Sequence, residues 1–262
     1  MSIKRASNQL EQLCHIKDLL IFEREIGYQR EIIPVITEYS CATLDFGAAD
    51  QYEFFRARGV HTGARSTFHT WHNQVSVTIC HVTCQIKIGP TGQLIMSKQG
   101  IGLGPALMAC VLTWLQNRGI PDYTVDPGFL SLVDAATPAA REQRNRFYMA
   151  FGFTLSNCSG TETGLEVIEG SFTAANVQAL SIPDRYQGRL QPWFDFERRL
   201  CIERESGALN LVELKSIDWW TYRMTWLGRS LLRVLGWPVQ FCTRHKHEPR
   251  PWEPKSSHGQ RR

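Results

Sequence analysis

The sequence contains no run of about 18 apolar residues, the length that a membrane-spanning helix needs. It also lacks an apolar segment near its start, because MSIKRASNQLEQL is too polar for the core of a secretory signal peptide. These two absences predict a cytoplasmic protein with no membrane span.

The chain has little excess of either charge. Its formal net charge is +4, with 43% hydrophobic and 21% charged residues, which is the balance of an ordinary globular protein. A charge this small permits a polyanionic partner but does not require one.

None of the eight cysteines forms a C-x-x-C pair, the spacing typical of zinc knuckles and thiol redox motifs. Thiols stay reduced in the cytoplasm, so we expect free and mostly buried cysteines. A zinc site is the alternative, with His69, His72, Cys80 and Cys84 as ligands. Because Cys80 and Cys84 share the apolar face of a predicted strand, with His81 on its opposite face, the pattern favours buried thiols over ligands.

Three segments in the first quarter of the chain carry mixed local signals. Residues 7–26 have mostly helical spacing and predict a helix. Residues 31–46 are rich in strand-forming residues, but Pro34 is expected to interrupt them. Residues 48–59 resemble a short helix that ends at Gly59.

The middle of the chain alternates between strand and helix signals. Residues 74–89 predict one strand, residues 89–92 a turn and residues 93–98 a second strand, so the two strands are expected to form a hairpin.

Two clear helical segments follow. Residues 105–119 predict a helix with Leu107, Cys110, Val111, Trp114 and Leu115 on one face. Thr137 and Pro138 predict the N-cap and first position of another helix, which ends at Gly152. Strands are predicted at 129–135 and 163–172. This order indicates an α/β (α+β) fold.

The character of the sequence changes after about residue 180. Residues 198–215 predict a hairpin around Ser206-Gly207, and residues 217–237 combine tryptophans and arginines at loosely helical spacing. That aromatic segment is expected to pack on the core, with a membrane surface or a nucleic acid as alternative partners. We therefore divide the chain into a domain at 1–180, a C-terminal extension at 181–243 and a flexible basic tail at 244–262.

Three alternating glycines lie between a predicted strand and a helix, in SKQGIGLGPALM at residues 97–108. The simplest interpretation is a tight turn that binds nothing. A dinucleotide-binding turn needs G-x-G-x-x-G, which Gly100, Gly102 and Gly104 do not supply. A third interpretation is an anion site on the N-terminus of the following helix.

Two motifs carry a resemblance to a known family. QGIGLG at residues 99–104 is similar to the Q/R-x-x-G-x-G/A signature of the GCN5-related N-acetyltransferase (GNAT) superfamily. RFYMAFGF at residues 146–153 resembles the family's second hallmark, an aromatic–tyrosine pair that ends a helix before Gly-Phe. The motifs stand in the family's order, and the resemblance covers about residues 75–155.

The resemblance implies a GNAT-like central mixed sheet flanked by helices, with an additional C-terminal hairpin and helix region. It implies acetyl-coenzyme A (acetyl-CoA) as co-substrate, no metal, and a pyrophosphate held on the glycine loop. The strand before the loop would pair with the pantetheine arm and splay from the strand near residues 129–133. The coenzyme-binding residues so implied are Leu94, Ile95, Met96, Lys98, Gln99, Gly100, Ile101, Gly102, Leu103 and Gly104.

The resemblance also gives Tyr148 the role of the catalytic acid that protonates the departing thiolate. Helical spacing places Tyr148 off the face of Phe147 and Phe151, towards Arg141 and Arg144. The alternative is that Tyr148 is one more core aromatic residue. The two arginines replace the family's usual asparagine and alanine, and form either a solvated basic face or a contact for a phosphate. Spacing does not select a general base among Asp126, Asp134 and Glu142.

The resemblance predicts transfer of an acetyl group from acetyl-CoA to a primary amine. The acceptor is a small molecule, a protein or an aminoacyl-tRNA. The alternative is a non-catalytic protein of the same fold that engages nucleic acid or a protein partner through its basic C-terminal part.

Overall fold

The architecture is mixed α/β, with one large mixed sheet flanked by helices. It is seen in a computed structural model that describes residues 3–26, 29–42, 51–60, 72–89, 96, 100–161 and 163–205. The helices of this part are α1 (Ile3–Gln12), α2 (Leu103–Gln116), α3 (Pro138–Ala150) and α4 (Trp193–Glu205). None of them is both long and apolar enough to cross a membrane.

The large sheet has seven strands in the order β10-β1-β2-β3-β4-β5-β6. They are β1 (His15–Ile26), β2 (Gln29–Ala42), β3 (Tyr52–Gly59), β4 (Gln74–Cys80), β5 (Gln85–Ile88), β6 (Thr124–Asp126) and β10 (Leu190–Pro192). All neighbours are antiparallel except β5 and β6. A parallel pair needs a crossover, and α2 lies in the connection between these two strands.

A smaller antiparallel sheet has the order β7-β9-β8, with β7 (Gly128–Leu130), β8 (Thr154–Asn157) and β9 (Gly170–Thr173). The chain passes from the large sheet to the small one between Asp126 and Gly128. A Cβ atom on Gly128 would lie 2.1 Å from Cζ of Phe172, so only glycine allows this crossing to pack against the aromatic ring.

Helix α2 packs on the large sheet as its sequence predicts. Leu107, Val111 and Leu115 are buried on the predicted face. The Trp114 ring stacks on Phe55 of β3, with ring centroids 4.7 Å apart. The face contributes most of its side chains to the main core and fixes the position of the helix N-terminus over the sheet.

The helix predicted over residues 7–26 was wrong beyond its first turn and a half. Helix α1 ends at Gln12, and residues from His15 onward form β1. Strand β1 pairs with β2 from His15 to Ile26 and with β10 from Leu20 to Phe22. This pairing outweighs the local helical spacing, because propensity is a weak preference that tertiary contacts override.

The helix predicted over residues 48–59 was also wrong, because residues 52–59 form the central strand β3. Both faces of this strand are covered. Phe55 faces α2, whereas Arg56 faces α1 and pairs with Glu38 at 2.7 Å and with Glu11. The charged residues of β3 prevented the prediction of a buried strand, because their ion-pair partners lie far away in the sequence.

Pro34 does not interrupt β2, contrary to expectation. Its carbonyl accepts a hydrogen bond from the Val60 N–H at 2.8 Å, so its polar groups face β3. The β2–β3 ladder ends one residue further on, where Val35 lies opposite Gly59. The missing N–H therefore falls just past the end of the ladder and removes no hydrogen bond from it.

The single strand predicted over residues 74–89 is a hairpin of β4 and β5 with a turn at residues 81–84. Cys80 is buried at the end of β4, whereas Cys84 is exposed in the turn with φ 52°. The two cysteines and His81 therefore do not share a strand. The hairpin partner predicted at 93–98 lies outside the described residues apart from Met96.

Two later segments differ in part from expectation. Residues predicted as a strand over 129–135 form the end of β7 and a 3₁₀ helix, Leu132–Ala135. The strand predicted over 163–172 is confined to β9 and follows a 3₁₀ turn at Gly164–Glu166. The first half of the hairpin predicted at 198–215 is helical, because α4 continues to Glu205.

Strand β10 comes from the stretch assigned to the C-terminal extension, and it joins the large sheet. The rest of the predicted hairpin, the aromatic segment and the basic tail lie in residues 206–262, outside the described part of the chain.

Candidate functional site

The glycine turn precedes α2 in the conformation that its sequence suggests. Gly100 and Gly102 have φ of 74° and 86°, in the left-handed region that favours glycine. Gly102 is the N-cap of α2 and has no side chain to cap the helix. The first-turn N–H groups of Leu103 and Gly104 therefore face outward from a positive helix end.

Other contacts hold this turn in place. Nη1 of Arg24 on β1 donates to the Gly100 carbonyl at 3.4 Å, and Phe22 of the same strand lies next to Gly102. A Cβ atom on Gly104 would lie 3.4 Å from Cγ of Met96, so Met96 covers the first turn of α2. Ile101 and Leu103 are buried and anchor the turn to the core.

Helix α3 begins as predicted, with the Thr137 hydroxyl accepting a hydrogen bond from the Ala140 N–H at 3.1 Å. The spacing argument that placed Tyr148 off the apolar face was wrong. Tyr148 is only 4% exposed and its ring stacks on Phe172, with centroids 4.2 Å apart. Phe147 is less buried and contacts the edge of the Tyr148 ring.

The Tyr148 hydroxyl forms no hydrogen bond with the residues that the structure describes. Burial is the main cause that raises the pKa of Tyr148, and the nearby Asp134 adds to the effect. The hydroxyl therefore keeps its proton throughout the neutral range, as a proton donor must.

One cavity brings the two sequence motifs together. It has a volume of about 610 Å³ and lies between the N-terminus of α2 and one side of α3. Its lining is contributed by the glycine turn, by α3 and by two further segments: Met96, Gly100, Gly102, Leu103, Gly104, Pro105, Val133, Asp134, Ala136, Ala140, Gln143, Arg144, Arg146, Phe147, Tyr148, Arg185 and Tyr186. We call it the motif cavity.

The charged lining of the motif cavity is mainly positive, with Arg144, Arg146 and Arg185 against Asp134. Arg185 extends over the ring of Tyr186, and no ion pair of Arg185 is seen in the described residues. Together with the helix N-terminus, these side chains give the cavity a potential that favours an anion.

Neither basic residue that the resemblance singled out forms a solvated face. Arg141 pairs with Glu166 at 2.9 Å. The Arg144 guanidinium donates to the carbonyls of Ser131, Val167 and Ile168 at 2.6–3.0 Å. Burial lowers the pKa of Arg144. Its role in the fold is to hold α3 against both flanking loops.

We expect Arg144→Met to lower the free energy of unfolding by about 2–3 kcal/mol, because it removes the three hydrogen bonds of the guanidinium to backbone carbonyls. Arg146→Met is the matched control. It lies on the same helix and in the same cavity, but its side chain is 68% exposed, and in the described part of the chain its ion pair is with Glu142. Its expected effect is within about 0.5 kcal/mol. Urea denaturation measures the free energy of unfolding of both variants. Equal losses would contradict the role of Arg144 in holding α3 against the flanking loops.

The predicted coenzyme-binding residues fall into two groups. Met96, Gly100, Gly102, Leu103 and Gly104 line the motif cavity, whereas Ile101 is buried beneath it. Leu94, Ile95, Lys98 and Gln99 lie outside the described residues. The contribution of Arg185 and Tyr186 was missed, since they reach the cavity through a 3₁₀ turn about 35 residues after the end of α3.

The three acids considered as general bases are now distinguishable. Asp126 pairs with Lys87 at 3.3 Å, and Glu142 pairs with Arg146. Asp134 lines the motif cavity, and no ion pair of Asp134 is seen among the described residues.

The zinc alternative has no support from geometry in the part of the chain that is described, where no group of three or more His, Cys, Asp or Glu side chains is arranged to hold a metal. His69 lies outside that part. His81 instead contacts Glu53 through Nε2 at 2.9 Å and Tyr123 through Nδ1 at 3.2 Å. These contacts tie the β4–β5 turn to β3 and to the residue that precedes β6.

A second cavity of about 760 Å³ lies on another side of α2, between that helix, β1 and residues 180–190. We call it the α2 groove. Its lining comprises Leu20, Ala106, Ala109, Cys110, Thr113, Gln116, Leu180, Ser181, Ile182, Tyr186, Gln187, Gly188, Arg189 and Leu190. Tyr186 is shared by both cavities and separates them.

Burial raises the pKa of the Cys110 thiol in this groove from 9.0 to about 12. A raised pKa means that the folded state binds the proton more tightly than the unfolded state. The resulting stabilisation is complete below pH 9 and is lost as the pH rises towards 12.

We therefore expect wild type to lose more stability than Cys110→Ala between about pH 9 and about pH 11. Urea denaturation across this range provides the measurement. Cys201→Ala removes an exposed thiol and is the control, expected to follow wild type. Parallel curves for wild type and Cys110→Ala would show that Cys110 titrates alike in both states.

Comparisons with known proteins add no further constraint: no protein-family model, curated protein or solved structure matches the chain.

Proposed function

We propose that the protein is a GNAT-type N-acetyltransferase, which transfers the acetyl group of acetyl-CoA to a primary amine. The observation that carries the proposal is the motif cavity, in which residues of both sequence motifs line the same space. A turn that bound nothing would not require the glycine motif and the tyrosine motif to share a cavity.

The N-terminus of α2 supplies the chemistry for a pyrophosphate. The first-turn N–H groups of Leu103 and Gly104 are directed outward, and Gly102 adds no side chain that would compete for them. Charge-assisted bonds from such N–H groups to phosphate oxygens are strong, and the helix dipole adds to them. Arg185 and Arg146 supply positive charge at the same cavity. Lys98 is proposed as a further phosphate contact.

The proposal assigns Tyr148 to the second half of the reaction, in which the thiolate leaves. The amine nitrogen attacks the thioester carbonyl, the C–S bond breaks, and the coenzyme thiolate takes a proton from the Tyr148 hydroxyl. The proton that the amine nitrogen loses leaves to solvent, and the Tyr148 phenolate is reprotonated from solvent before the next turnover. The hydroxyl is protonated at neutral pH and can donate a hydrogen bond to the sulfur as negative charge develops on it. Positioning of the thioester and stabilisation of its carbonyl oxygen supply the rest of the catalysis.

The experiment that tests the proposal is a thermal shift titration with acetyl-CoA, with sodium sulfate at equal ionic strength as the control for a general anion effect. The melting temperature should rise with the logarithm of the acetyl-CoA concentration once it exceeds the dissociation constant. A flat response up to millimolar acetyl-CoA overturns the proposal. Salt-sensitive binding of RNA or DNA without coenzyme binding would instead support a non-catalytic nucleic-acid-binding protein.

A further inference from the structure

The α2 groove has the shape of a binding site for an extended molecule. Ala106, Ala109, Thr113 and Gln116 line it at successive turns of α2, so the groove follows about 15 Å of helix. Its volume of about 760 Å³ lies within the range of small-molecule sites. Ala106 and Ala109 line the groove with small side chains and are themselves only 1% and 5% exposed.

The walls of the groove are mainly apolar. Leu20 of β1, Leu180, Ile182 and Leu190 face the alanines of α2 across it. Nε2 of Gln116 donates to the Leu180 carbonyl at 3.2 Å. Nε2 of Gln187 donates to the Ile182 carbonyl and to Oδ1 of Asp184. The donors of these two amide groups are therefore satisfied by the protein itself. The apolar walls remain available to a ligand.

Arg189 is the charged residue among the described residues that line the groove, and none of these residues is acidic. The guanidinium lies 5.9 Å from the centre of the Phe22 ring, and no ion pair of Arg189 is seen in the described residues. A planar guanidinium binds a carboxylate through two parallel hydrogen bonds. The groove therefore combines a long apolar wall with one unpaired site for an anion.

We propose that the α2 groove binds an unbranched aliphatic carboxylate, with the alkyl chain along Ala106, Ala109 and Cys110 and the carboxylate at Arg189. A compact ligand would leave most of the groove in contact with water, whereas an alkyl chain removes the apolar walls from it. The site is distinct from the motif cavity, and the proposal does not depend on acetyl transfer.

Calorimetric titration tests whether the carboxylate contributes to binding. It compares decanoate, below its micellar concentration, with the uncharged decanol. We expect wild type to bind decanoate about tenfold more tightly than decanol, the scale of a hydrogen-bonded ion pair. Arg189→Gln should remove this preference and leave decanol binding unchanged. Arg198→Gln is the control, because Arg198 is an exposed residue of α4 that pairs with Asp195. A preference for decanoate that survives in Arg189→Gln overturns the assignment of the carboxylate.

Photolabelling tests the location. A decanoate derivative with a diazirine in its alkyl chain should label peptides from residues 103–116 and 180–190, as mapped by mass spectrometry. Ala109→Leu fills the groove and should abolish this labelling. Labelling elsewhere, or labelling that Ala109→Leu does not reduce, overturns the proposal. Displacement of the probe by acetyl-CoA at equal concentration also overturns it, because the groove would then belong to the coenzyme.

Discussion

Gly102→Val is expected to abolish acetyl-CoA binding, whereas Gly119→Val leaves it unchanged. Both glycines flank α2, and both have positive φ, 86° for Gly102 and 67° for Gly119. Valine in the left-handed region destabilises either variant by about 1–2 kcal/mol. The branched side chain at position 102 stands beside the first-turn N–H groups and blocks close approach of a pyrophosphate.

Isothermal titration calorimetry measures the affinity, and urea denaturation confirms that both variants are folded. A Cβ atom added to Gly119 would have no atom of the described residues within 4 Å. Its substitution therefore reproduces the backbone strain without entering a cavity. Unchanged affinity in folded Gly102→Val would remove the turn as the phosphate site. Equal losses in the two variants would assign the effect to destabilisation of α2.

Tyr148→Phe is expected to lower the rate of acetyl transfer by about ten- to a thousandfold, the scale of losing one general acid. The phenyl ring keeps the stack on Phe172, at a centroid distance of 4.2 Å. Because the hydroxyl has no hydrogen bond among the described residues, stability should change by less than about 1 kcal/mol. Coenzyme affinity should also stay unchanged.

The measurement is steady-state acetyl transfer by the purified variant with the amine that gives the fastest reaction. Tyr123→Phe is the matched control, since it removes a hydroxyl that contacts His81 outside the motif cavity. Turnover equal to that of the parent would remove Tyr148 from the mechanism. Reduced stability with normal turnover would make Tyr148 a core residue alone.

Local signals predicted the two helices that form the motif cavity. Thr137 and Pro138 mark the start of α3, and the apolar face of α2 is regular. Strands β1 and β3 were missed, because their evidence is the pairing with distant strands. The charges of Arg56 on β3 and Glu38 on β2 cancel each other only once these two strands lie side by side.

The candidate site was predictable to the same extent. The glycine turn and Tyr148 were identified from short motifs, and both line the cavity. Arg185 and Tyr186 have no motif of their own, and they reach the cavity through the path of the chain. The burial of Tyr148 was not predictable from helical spacing, since the ring that covers it is Phe172, on β9 of the smaller sheet.

The pairing of β10 with β1 affects the order in which the chain folds and its tendency to aggregate. Leu20 and Pro192 lie opposite each other although about 170 residues separate them, so this edge closes only after most of the chain has been made. Until then, the unpaired side of a twelve-residue strand is a template for pairing with other molecules. In the completed chain the three residues of β10 pair with Leu20–Phe22 and cover the middle of this edge. A chain shortened before Leu190 is therefore expected to enter inclusion bodies even if its core forms.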